Sequence, residues 1–382
     1  MANYQPLFDF IRSQYPLKER VYLHEPSFKD KEREYLLDAL DSKIVSTVGP
    51  YAQRLEAQLA VYTGAQHAVA LNSGTSALHL SLKLAGLKPG EEVITQALTY
   101  VATVNPISYE GGIPLFLDVD KDTMGLSPAA LKMFIEEFCE DFGNGLHNKR
   151  TGRRIAACMP MHTFGYPCRI DEIQSICEAY GVPLVEDAAE AIGSSYNGRW
   201  LGTYGMVGAY SFNGNKTITS GGGGALITEN ERLAKQARHL SSQAKVPHAW
   251  ESYHDAIGQN TRMPSLNAAL ACAQLERLDE MLRAKRELSE EYQQVFRGNQ
   301  LGFVKEIEGA SANHWLNAII LRDKSARNEF LEAASAKAIE CRPLWQLMSD
   351  LPMYSHCEAD SLEHSRYLQE RVVALPSSVP VG

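Results

Sequence analysis

Hydrophobic and polar positions alternate in two different ways along this 382-residue chain. Near the N-terminus, residues 29–41 and 50–62 carry apolar side chains at helical spacing, which predicts two helices. The loop between them, residues 44–50, contains several β-branched residues, and we expect it to line a site through Thr47. From residue 67 onward, short apolar strands alternate with glycine turns and helical segments. This second pattern predicts an α/β fold with a mostly parallel sheet that is covered on both faces.

The predicted strands share a short apolar run that ends at a turn before a helical segment. They begin at Ala68, Glu92, Pro114, Ile155, Pro183 and Ala225. A long helix is predicted from Ser265 to about Arg297, and the composition changes near residues 244–250. We therefore expect a large domain over residues 1–245 and a smaller α+β domain over residues 246–382.

Composition and charge narrow the functional classes. The net charge of −9 and the absence of a Lys/Arg run argue against a nucleic-acid binder. The N-terminus lacks the pattern of a signal peptide, and no apolar stretch reaches the roughly 18 residues of a membrane span, so we expect a cytoplasmic protein. Seven cysteines without a CxxC pair predict reduced thiols, with neither a disulfide framework nor a metal site.

Lys216 and Asp187 are the residues that first indicate a particular chemistry. Lys216 ends the run Ser-Phe-Asn-Gly-Asn-Lys, and Asp187 ends an apolar strand in Val-Glu-Asp-Ala-Ala-Glu. A lysine amine can hold an aldehyde cofactor as a Schiff base, and an upstream carboxylate can keep a pyridine nitrogen protonated. The pair therefore predicts a pyridoxal 5′-phosphate enzyme in which both residues are catalytic. The alternative for Asp187 is a simple helix N-cap.

A phosphate site is predicted where a strand gives way to a helix at Asn-Ser-Gly-Thr-Ser, residues 72–76. Backbone N–H groups from Gly74 onward and the hydroxyls of Thr75 and Ser76 lie at a helix N-terminus, which attracts anions. Ser211 can add a further hydroxyl. The alternative interpretation of the serine and threonine residues is ordinary helix capping.

Three further residues are candidates for the same site. Tyr100 follows the second strand of the alternating region and could stack on a pyridine ring, although a core tyrosine is the alternative. Glu190 could contact the ring hydroxyl of the cofactor or form a capping box. His162 ends a strand at a position suited to substrate binding, and a structural histidine is the alternative.

Several ordered motifs resemble the DegT/DnrJ family of sugar aminotransferases over nearly the whole chain. They are Ser-Thr-Val-Gly-Pro (46–50), Asn-Ser-Gly-Thr-Ser-Ala-Leu-His (72–79), Thr-Tyr-Val-Ala-Thr (99–103), Glu-Asp-Ala-Ala-Glu (186–190), Ser-Phe-Asn-Gly-Asn-Lys (211–216) and Asn-Thr-Arg-Met-Pro-Ser-Leu-Asn-Ala-Ala-Leu (260–270). The resemblance implies the aspartate aminotransferase-like fold type I of pyridoxal phosphate enzymes. It also implies a homodimer with active sites at the interface, in which Asn260 or Arg262 reaches the cofactor phosphate of the partner subunit.

Within the family, three segments look most like the branch that makes legionaminic acid and bacillosamine precursors. They are His24-Glu25-Pro26-Ser27, residues 243–250 and Arg342-Pro343-Leu344-Trp345. The resemblance implies transfer of an amino group from L-glutamate to C4 of a nucleotide-linked 4-keto-6-deoxy-N-acetylhexosamine, in surface-glycan biosynthesis. We expect a ping-pong reaction in which Lys216 moves the proton in both halves.

The diphosphate of such a substrate needs cations, and we expect Lys245, His248 and Arg342 to supply them. The alternative for each is a solvated surface position. Other functions remain open at this point: a GDP- or dTDP-linked 3- or 4-keto sugar as substrate, a cofactor-dependent dehydratase, or a non-catalytic regulatory relative. Related dehydratases replace the lysine with histidine, so Lys216 favours the aminotransferase.

Overall fold

The computed structural model describes residues 4–296 and 302–380 of the chain. Its helices, in chain order, are α1 (Gln5–Gln14), α2 (Asp30–Asp41), α3 (Pro50–Thr63), α4 (Gly74–Leu84), α5 (Val101–Tyr109), α6 (Pro128–Phe138), α7 (Ile170–Ala179), α8 (Glu231–Ser241), α9 (Ser265–Leu275), α10 (Leu278–Val295), α11 (Lys324–Ala336) and α12 (Glu363–Gln369). Within these ranges, no helix is both long and apolar enough to cross a bilayer.

The strands are short and fall into a large sheet, a smaller sheet and peripheral hairpins. They are β1 (His67–Leu71), β2 (Glu92–Gln96), β3 (Ile113–Leu117), β4 (Cys139–Asp141), β5 (Leu146–Asn148), β6 (Ile155–Met159), β7 (Val185–Asp187), β8 (Ser195–Tyr196), β9 (Arg199–Trp200), β10 (Val207–Ser211), β11 (Gly224–Thr228), β12 (Lys245–Val246), β13 (Tyr253–His254), β14 (Gly302–Phe303), β15 (Ala310–Ser311), β16 (Asn317–Ile320), β17 (Arg342–Pro343) and β18 (Val372–Leu375).

The large sheet has the strand order β3-β2-β6-β7-β10-β11-β1. Parallel bridges from Cys158 to Leu184 and from Met161 to Asp187 join β6 to β7 and so connect its two halves. Only β11 runs antiparallel to its neighbours in this sheet. The predicted α/β class with a mainly parallel sheet is confirmed. Because the other strands share one direction, their carboxyl ends meet at one edge, where open α/β sheets place their ligands.

The smaller sheet is antiparallel, with the order β14-β16-β18-β17. Its inner face packs on α1, α10 and α11 through a buried cluster that includes Phe8, Tyr292 and Phe330. Segment 21–25 lies beside this unit, since Val21 bridges to Ile339. The domain boundary predicted near residue 246 stays a prediction.

The predicted N-terminal helices are confirmed by α2 and α3, each within one residue of its expected bounds. The single long helix predicted from Ser265 is wrong, because the chain turns between α9 and α10 at Arg277, where φ is −105° and ψ is 1°. The buried Arg277 guanidinium donates to Glu32 Oε1 at 2.8 Å, which fixes the turn against α2. The predicted end of that helix at Arg297 lies outside the described residues.

Candidate active site

A cavity of about 960 Å³ opens at the carboxyl edge of the large sheet and extends to the smaller sheet. Its walls come from both parts of the chain, since the loops after β1, β7 and β10 face residues near β16 and β17. The structure brings together eight residues predicted for the site: Gly74, Thr75, Tyr100, Asp187, Glu190, Ser211, Lys216 and Arg342.

Lys216 lies in the turn between β10 and β11 and reaches into this cavity. Its Nζ is 3.1 Å from Glu190 Oε1 and 3.9 Å from the ring centre of Trp315. The side chain is only 12% exposed. A carboxylate on one side and an aromatic face on the other therefore hold the amine in one place, as a covalent catalyst requires.

Glu190 is buried and follows β7. One carboxylate oxygen pairs with Lys216, and the other accepts a hydrogen bond of 2.9 Å from the Phe164 backbone N–H. Burial raises the pKa of the Glu190 carboxyl, and the Lys216 charge and the Phe164 N–H partly offset this shift. The contact with Lys216 gives Glu190 a third possible role. The sequence suggested two others, a contact with the ring hydroxyl of the cofactor and a capping box.

Asp187 ends β7 and is almost completely buried at the floor of the cavity. Its Oδ2 accepts from the Thr103 hydroxyl at 2.7 Å, and its Oδ1 accepts from the Ala189 N–H at 3.1 Å. Burial raises the pKa of this carboxyl, with the hydrogen bonds from Thr103 and Ala189 and the charge of Lys216 acting in the opposite direction. A cationic ring N–H placed against the carboxylate would offset the cost of its burial.

The first turn of α4 forms an anion cradle. Ser73 caps the helix, because its Oγ accepts from the Ser76 N–H at 3.0 Å. The N–H groups of Gly74 and Thr75 are in the first helical turn and lack intrahelical acceptors. A Cβ at Gly74 would lie 2.7 Å from the Ser211 Cβ, so only glycine lets the two segments meet here. The backbone N–H groups with the nearby Ser211 hydroxyl suit a phosphate group.

Ser76 lies beside this cradle but outside the cavity lining. Its hydroxyl donates to Asn72 Oδ1 at 2.7 Å, while its N–H donates to the Ser73 cap. Both polar groups of Ser76 are therefore engaged with neighbouring residues at the start of α4, and its contact with the cofactor stays a prediction.

Tyr100 borders the cavity, and the residue is 49% exposed. Its ring centre is 6.0 Å from that of Trp345, and the Trp345 ring centre lies 5.4 Å from that of Phe164. These rings and Trp315 form an aromatic wall around Lys216 that has room for a flat ligand. The exposure of Tyr100 is at odds with a core tyrosine.

His162 does not line the cavity. Its ring is completely buried, with Nε2 3.1 Å from Glu186 Oε2 and Nδ1 3.5 Å from Cys168 Sγ. Burial disfavours the imidazolium, but Cys168 and Glu186 outweigh it and raise the pKa of His162 to about 10. Alternation along β7 explains the placement: Glu186 and Asp187 point to opposite faces of the sheet, and His162 is on the Glu186 side.

Five other predicted residues also lie outside the cavity lining: Thr47, Lys245, His248, Asn260 and Arg262. Lys245 and His248 are exposed on the segment that contains the β12–β13 hairpin. Asn260 is exposed and bridges to Ser242. Arg262 approaches Glu56 at 3.9 Å, and its buried Nε has no hydrogen-bond partner in the part of the chain that the structure describes.

Several cavity residues had no predicted role. Thr103 belongs to the motif Thr-Tyr-Val-Ala-Thr. Its hydroxyl lies in the first turn of a helix that follows a strand, and this position could have identified it as a partner for Asp187. Trp315 comes from the distant C-terminal part of the chain and carries no local signal, whereas Trp345 stands in the quoted segment 342–345 but had no role of its own. Arg342 was predicted for the site. Its guanidinium lies 2.7 Å from Glu340 Oε1, and Glu340 had no predicted role.

Residues 26–381 match the DegT/DnrJ/EryC1/StrS aminotransferase family. The chain is 36% identical over 369 residues to EpsN of Bacillus subtilis, whose name describes a pyridoxal phosphate-dependent aminotransferase, with 94% of this chain and 92% of EpsN covered. It is also 36% identical over 361 residues to a GDP-perosamine synthase of Vibrio cholerae, covering 94% of each protein.

Solved structures show the same fold. The aminotransferase TlmJ from Streptoalloteichus hindustanus superposes with a TM-score of 0.86 at 26% identity and covers 95% of both chains. The family match, the fold and the residues around Lys216 all indicate a pyridoxal phosphate-dependent aminotransferase. This chain belongs to the DegT/DnrJ/EryC1/StrS aminotransferase family and is a pyridoxal phosphate-dependent aminotransferase of fold type I.

Proposed function

We propose that this enzyme transfers the amino group of L-glutamate to C4 of a UDP-linked 4-keto-6-deoxy-N-acetylhexosamine, for the synthesis of surface-glycan amino sugars. Two of the three segments on which this substrate assignment rests form part of the cavity wall. His24 and Glu25 come from the first segment, and Arg342, Pro343 and Trp345 come from the last. The proposal is supported by their position in the wall of the cavity that contains Lys216, where an acceptor sugar would lie.

The observation that carries the catalytic proposal is the convergence of Lys216, Glu190 and Asp187 within one buried site. We propose that Lys216 holds the cofactor covalently and, once released, moves the proton to and from the substrate carbon. When bound, the cofactor supplies the electron sink that makes this carbon acidic. Asp187 would hold the cofactor ring nitrogen, Gly74, Thr75 and Ser211 its phosphate, and Tyr100 its ring face.

We further propose a homodimer in which each subunit completes the site of the other. Lys245 and His248 are exposed and lie outside the cavity of their own chain, although a diphosphate needs cations. Asn260 is exposed as well. A second copy of the chain is the partner that could bring these residues, with Thr47 and Arg262, to the cavity edge. Exposed apolar residues around the α2–α3 loop, Leu40, Ile44, Val45 and Val48, support a contact surface there.

The decisive experiment incubates the purified enzyme with pyridoxal phosphate, L-glutamate and a panel of UDP-, GDP- and dTDP-linked 4-keto-6-deoxy sugars. Mass spectrometry detects the amino sugar, and a coupled assay measures 2-oxoglutarate. We expect the UDP-linked N-acetyl substrate to give the highest kcat/KM. Formation of 2-oxoglutarate with no amino sugar from any panel member would contradict the proposed acceptor class.

A second candidate substrate is a GDP-linked 4-keto-6-deoxy sugar. The observation that favours it is the 36% identity to GDP-perosamine synthase of Vibrio cholerae over 94% of each chain. The two candidates differ in the nucleotide base and in the N-acetyl group at C2 of the sugar. Cross-combinations of UDP and GDP with both sugars in the same panel therefore separate recognition of the nucleotide from recognition of the sugar.

A further inference from the structure

Asn313 is a buried asparagine in the segment between β15 and β16, two residues before Trp315 of the cavity wall. Its Nδ2 donates to the Glu190 carbonyl at 2.8 Å and to the Ile192 carbonyl at 2.9 Å, and the Thr217 hydroxyl lies 3.3 Å away. Its Oδ1 accepts from the Trp315 backbone N–H at 2.9 Å. An amide has two N–H donors and one carbonyl oxygen, so every polar atom of this side chain has a partner.

The partners of Asn313 are residues that surround Lys216. The Glu190 carboxylate lies 3.1 Å from Lys216 Nζ, and Asn313 holds the backbone carbonyl of the same glutamate. The Trp315 ring centre lies 3.9 Å from Lys216 Nζ, and Asn313 holds the backbone N–H of the same tryptophan. Thr217 follows Lys216 directly in the chain. One buried amide therefore bonds to both residues that contact the lysine amine and lies beside the next residue of the chain.

Trp315 is held at both of its N–H groups. The backbone N–H donates to Asn313, and the indole Nε1 donates to the Asn215 carbonyl at 2.6 Å. Asn215 directly precedes Lys216, so the indole is bonded to the turn that carries the lysine. Together the two bonds set the orientation of the ring over the amine. Loss of Asn313 would leave the indole bond as the remaining one of this pair.

Asn313 is itself held in place. Its backbone N–H donates to Ser194 Oγ at 2.9 Å, and the Ser194 hydroxyl donates to the Gly165 carbonyl at 2.7 Å. A Cβ at Gly165 would lie 1.9 Å from Asn313 Oδ1, and the φ of Gly165 is +86°, so this close approach requires a glycine. The adjoining strand β15 pairs with β8 and so fixes the backbone of the segment. The amide group therefore has one defined position.

We propose that Asn313 is a positioning residue that keeps the Lys216 amine where it attaches the cofactor and moves the proton. It acts through Glu190, Trp315 and Thr217. Asn313 does not line the cavity, so it is not itself a catalytic residue. The inference rests on the proposed role of Lys216. Positioning matters for rate, because displacement of a reacting group by about 1 Å can cost about 10²-fold.

The first test compares two ligands of the cofactor site in Asn313→Ala, which removes the amide. Pyridoxal phosphate can link covalently to Lys216, whereas 4-deoxypyridoxine 5′-phosphate lacks the aldehyde and binds through its ring and phosphate alone. Cofactor-free enzyme is titrated with each ligand, and quenching of tryptophan fluorescence reports binding. We expect the Kd for pyridoxal phosphate to rise about tenfold, because a displaced amine forms the linkage less favourably, and the Kd for the deoxy ligand to stay unchanged.

The second test measures proton transfer in the glutamate half-reaction by stopped-flow absorbance. Glutamate and glutamate deuterated at Cα are compared in wild-type enzyme and Asn313→Ala. We expect the rate constant to fall by about 10²-fold in the variant, with a larger deuterium isotope effect than in the wild type. A displaced amine slows the transfer of the proton selectively, so this step should become more strongly rate-limiting. The Kd for glutamate should stay close to the wild-type value.

Asn148→Ala is the matched control. Asn148 is another buried asparagine, and its Nδ2 donates to Glu92 at 3.0 Å and to Glu358 at 2.6 Å, but it lies outside the cavity lining. It reports the general consequence of removing a buried amide. We expect Asn148→Ala to keep the wild-type ratio of the two Kd values and the wild-type isotope effect, even where its stability is lower.

A second variant covers the case in which Asn313→Ala does not fold. Asn313→Asp has nearly the same shape and keeps an acceptor for the Trp315 N–H, but it loses the donors to the Glu190 and Ile192 carbonyls. The same changes are expected in both tests, since the backbone next to the Glu190 carboxylate is released.

A folded Asn313 variant with the wild-type Kd ratio and the wild-type isotope effect would overturn the inference. Equal weakening of both ligands would also overturn it, because that result indicates general damage to the fold. Failure of the underlying assignment gives a different result. If borohydride reduction of the wild-type holoenzyme attaches the cofactor at a lysine other than Lys216, the proposed role of Lys216 is wrong, whatever Asn313 does.

Discussion

The two sides of the cavity differ in how completely one chain builds them. On the large-sheet side, Asp187 and Glu190 are buried, Lys216 is largely buried, and each has a partner within 3.1 Å. On the opposite side, Arg342 is exposed, and the predicted cations Lys245 and His248 are not part of the cavity wall. The groups proposed to hold the cofactor are preorganised here, whereas the cations proposed for the sugar nucleotide lie on the surface.

The comparison teaches that chemistry and specificity have separate structural origins in this enzyme. The catalytic groups sit at the ends of parallel strands, where the sheet fixes the backbone and burial fixes the side chains. The groups proposed for specificity sit on hairpins and loops, which vary more easily, and the proposed second subunit would complete them. Mutations on the two sides should therefore change different kinetic parameters.

The largest effect is expected for Lys216→Ala. Loss of the amine removes both the covalent attachment and the proton carrier, so turnover should fall by more than the 10²- to 10⁴-fold of acid–base catalysis alone. Steady-state formation of 2-oxoglutarate from glutamate measures this. The exposed Lys235→Ala serves as the control, and wild-type turnover in Lys216→Ala would exclude the assignment.

Asp187→Asn should weaken catalysis without removing the covalent attachment. An amide keeps the size and the hydrogen-bond acceptor for Thr103 but cannot hold a ring nitrogen in its protonated form. We expect kcat to fall by about 10²- to 10³-fold, as for loss of one preorganised electrostatic contact. Stopped-flow measurement of the glutamate half-reaction tests this, with the exposed Asp9→Asn as a matched control. An unchanged rate constant would mean that Asp187 only caps the helix.

His162→Gln should affect stability rather than substrate binding. Cys168 and Glu186 raise the pKa of His162 from 6.5 to about 10, so the interactions of His162 with these two groups stabilise the fold fully below pH 6.5 and lose this effect as the pH rises through 10. Removal of one partner of a buried ion pair costs about 3–5 kcal/mol. Urea denaturation at pH 6 and pH 10 should show a larger loss at pH 6. The exposed His356→Gln is the control, and an equal loss at both pH values would contradict the charged pair.

Lys245→Ala should give the smallest effect and sharpen the distinction between the two sides. Removal of one exposed cation from a diphosphate subsite should raise the KM for the sugar nucleotide about tenfold, with the KM for glutamate unchanged. Initial-rate kinetics in both substrates measure the split. Lys235→Ala again provides a surface control, and equal changes in both KM values would remove Lys245 from the nucleotide subsite.

Local pattern was sufficient to predict the fold class and the catalytic pair. Strands such as β3 and β6 consist almost entirely of apolar residues and are buried along nearly their whole length, so their runs are visible in sequence. Asp187 could therefore be placed at the end of a predicted strand. Strand β10, which precedes Lys216, was not predicted, and Lys216 was identified from its residue type and motif. The failure at Ser265–Arg297 has the opposite cause: the turn at Arg277 depends on Glu32 of α2, which no local window contains.

The sequence by itself determined the α/β architecture, the lysine and the carboxylate, because strand periodicity and residue type are local properties. Only the tertiary structure decided that Asp187 faces the cavity from one side of β7, while Glu186 faces His162 on the other side. It also decided that the ring of Trp315 lies against Lys216. These relations join residues that are 24 positions apart for His162 and Glu186 and 99 positions apart for Lys216 and Trp315. Such contacts are set by packing of whole elements rather than by any repeating pattern along the chain.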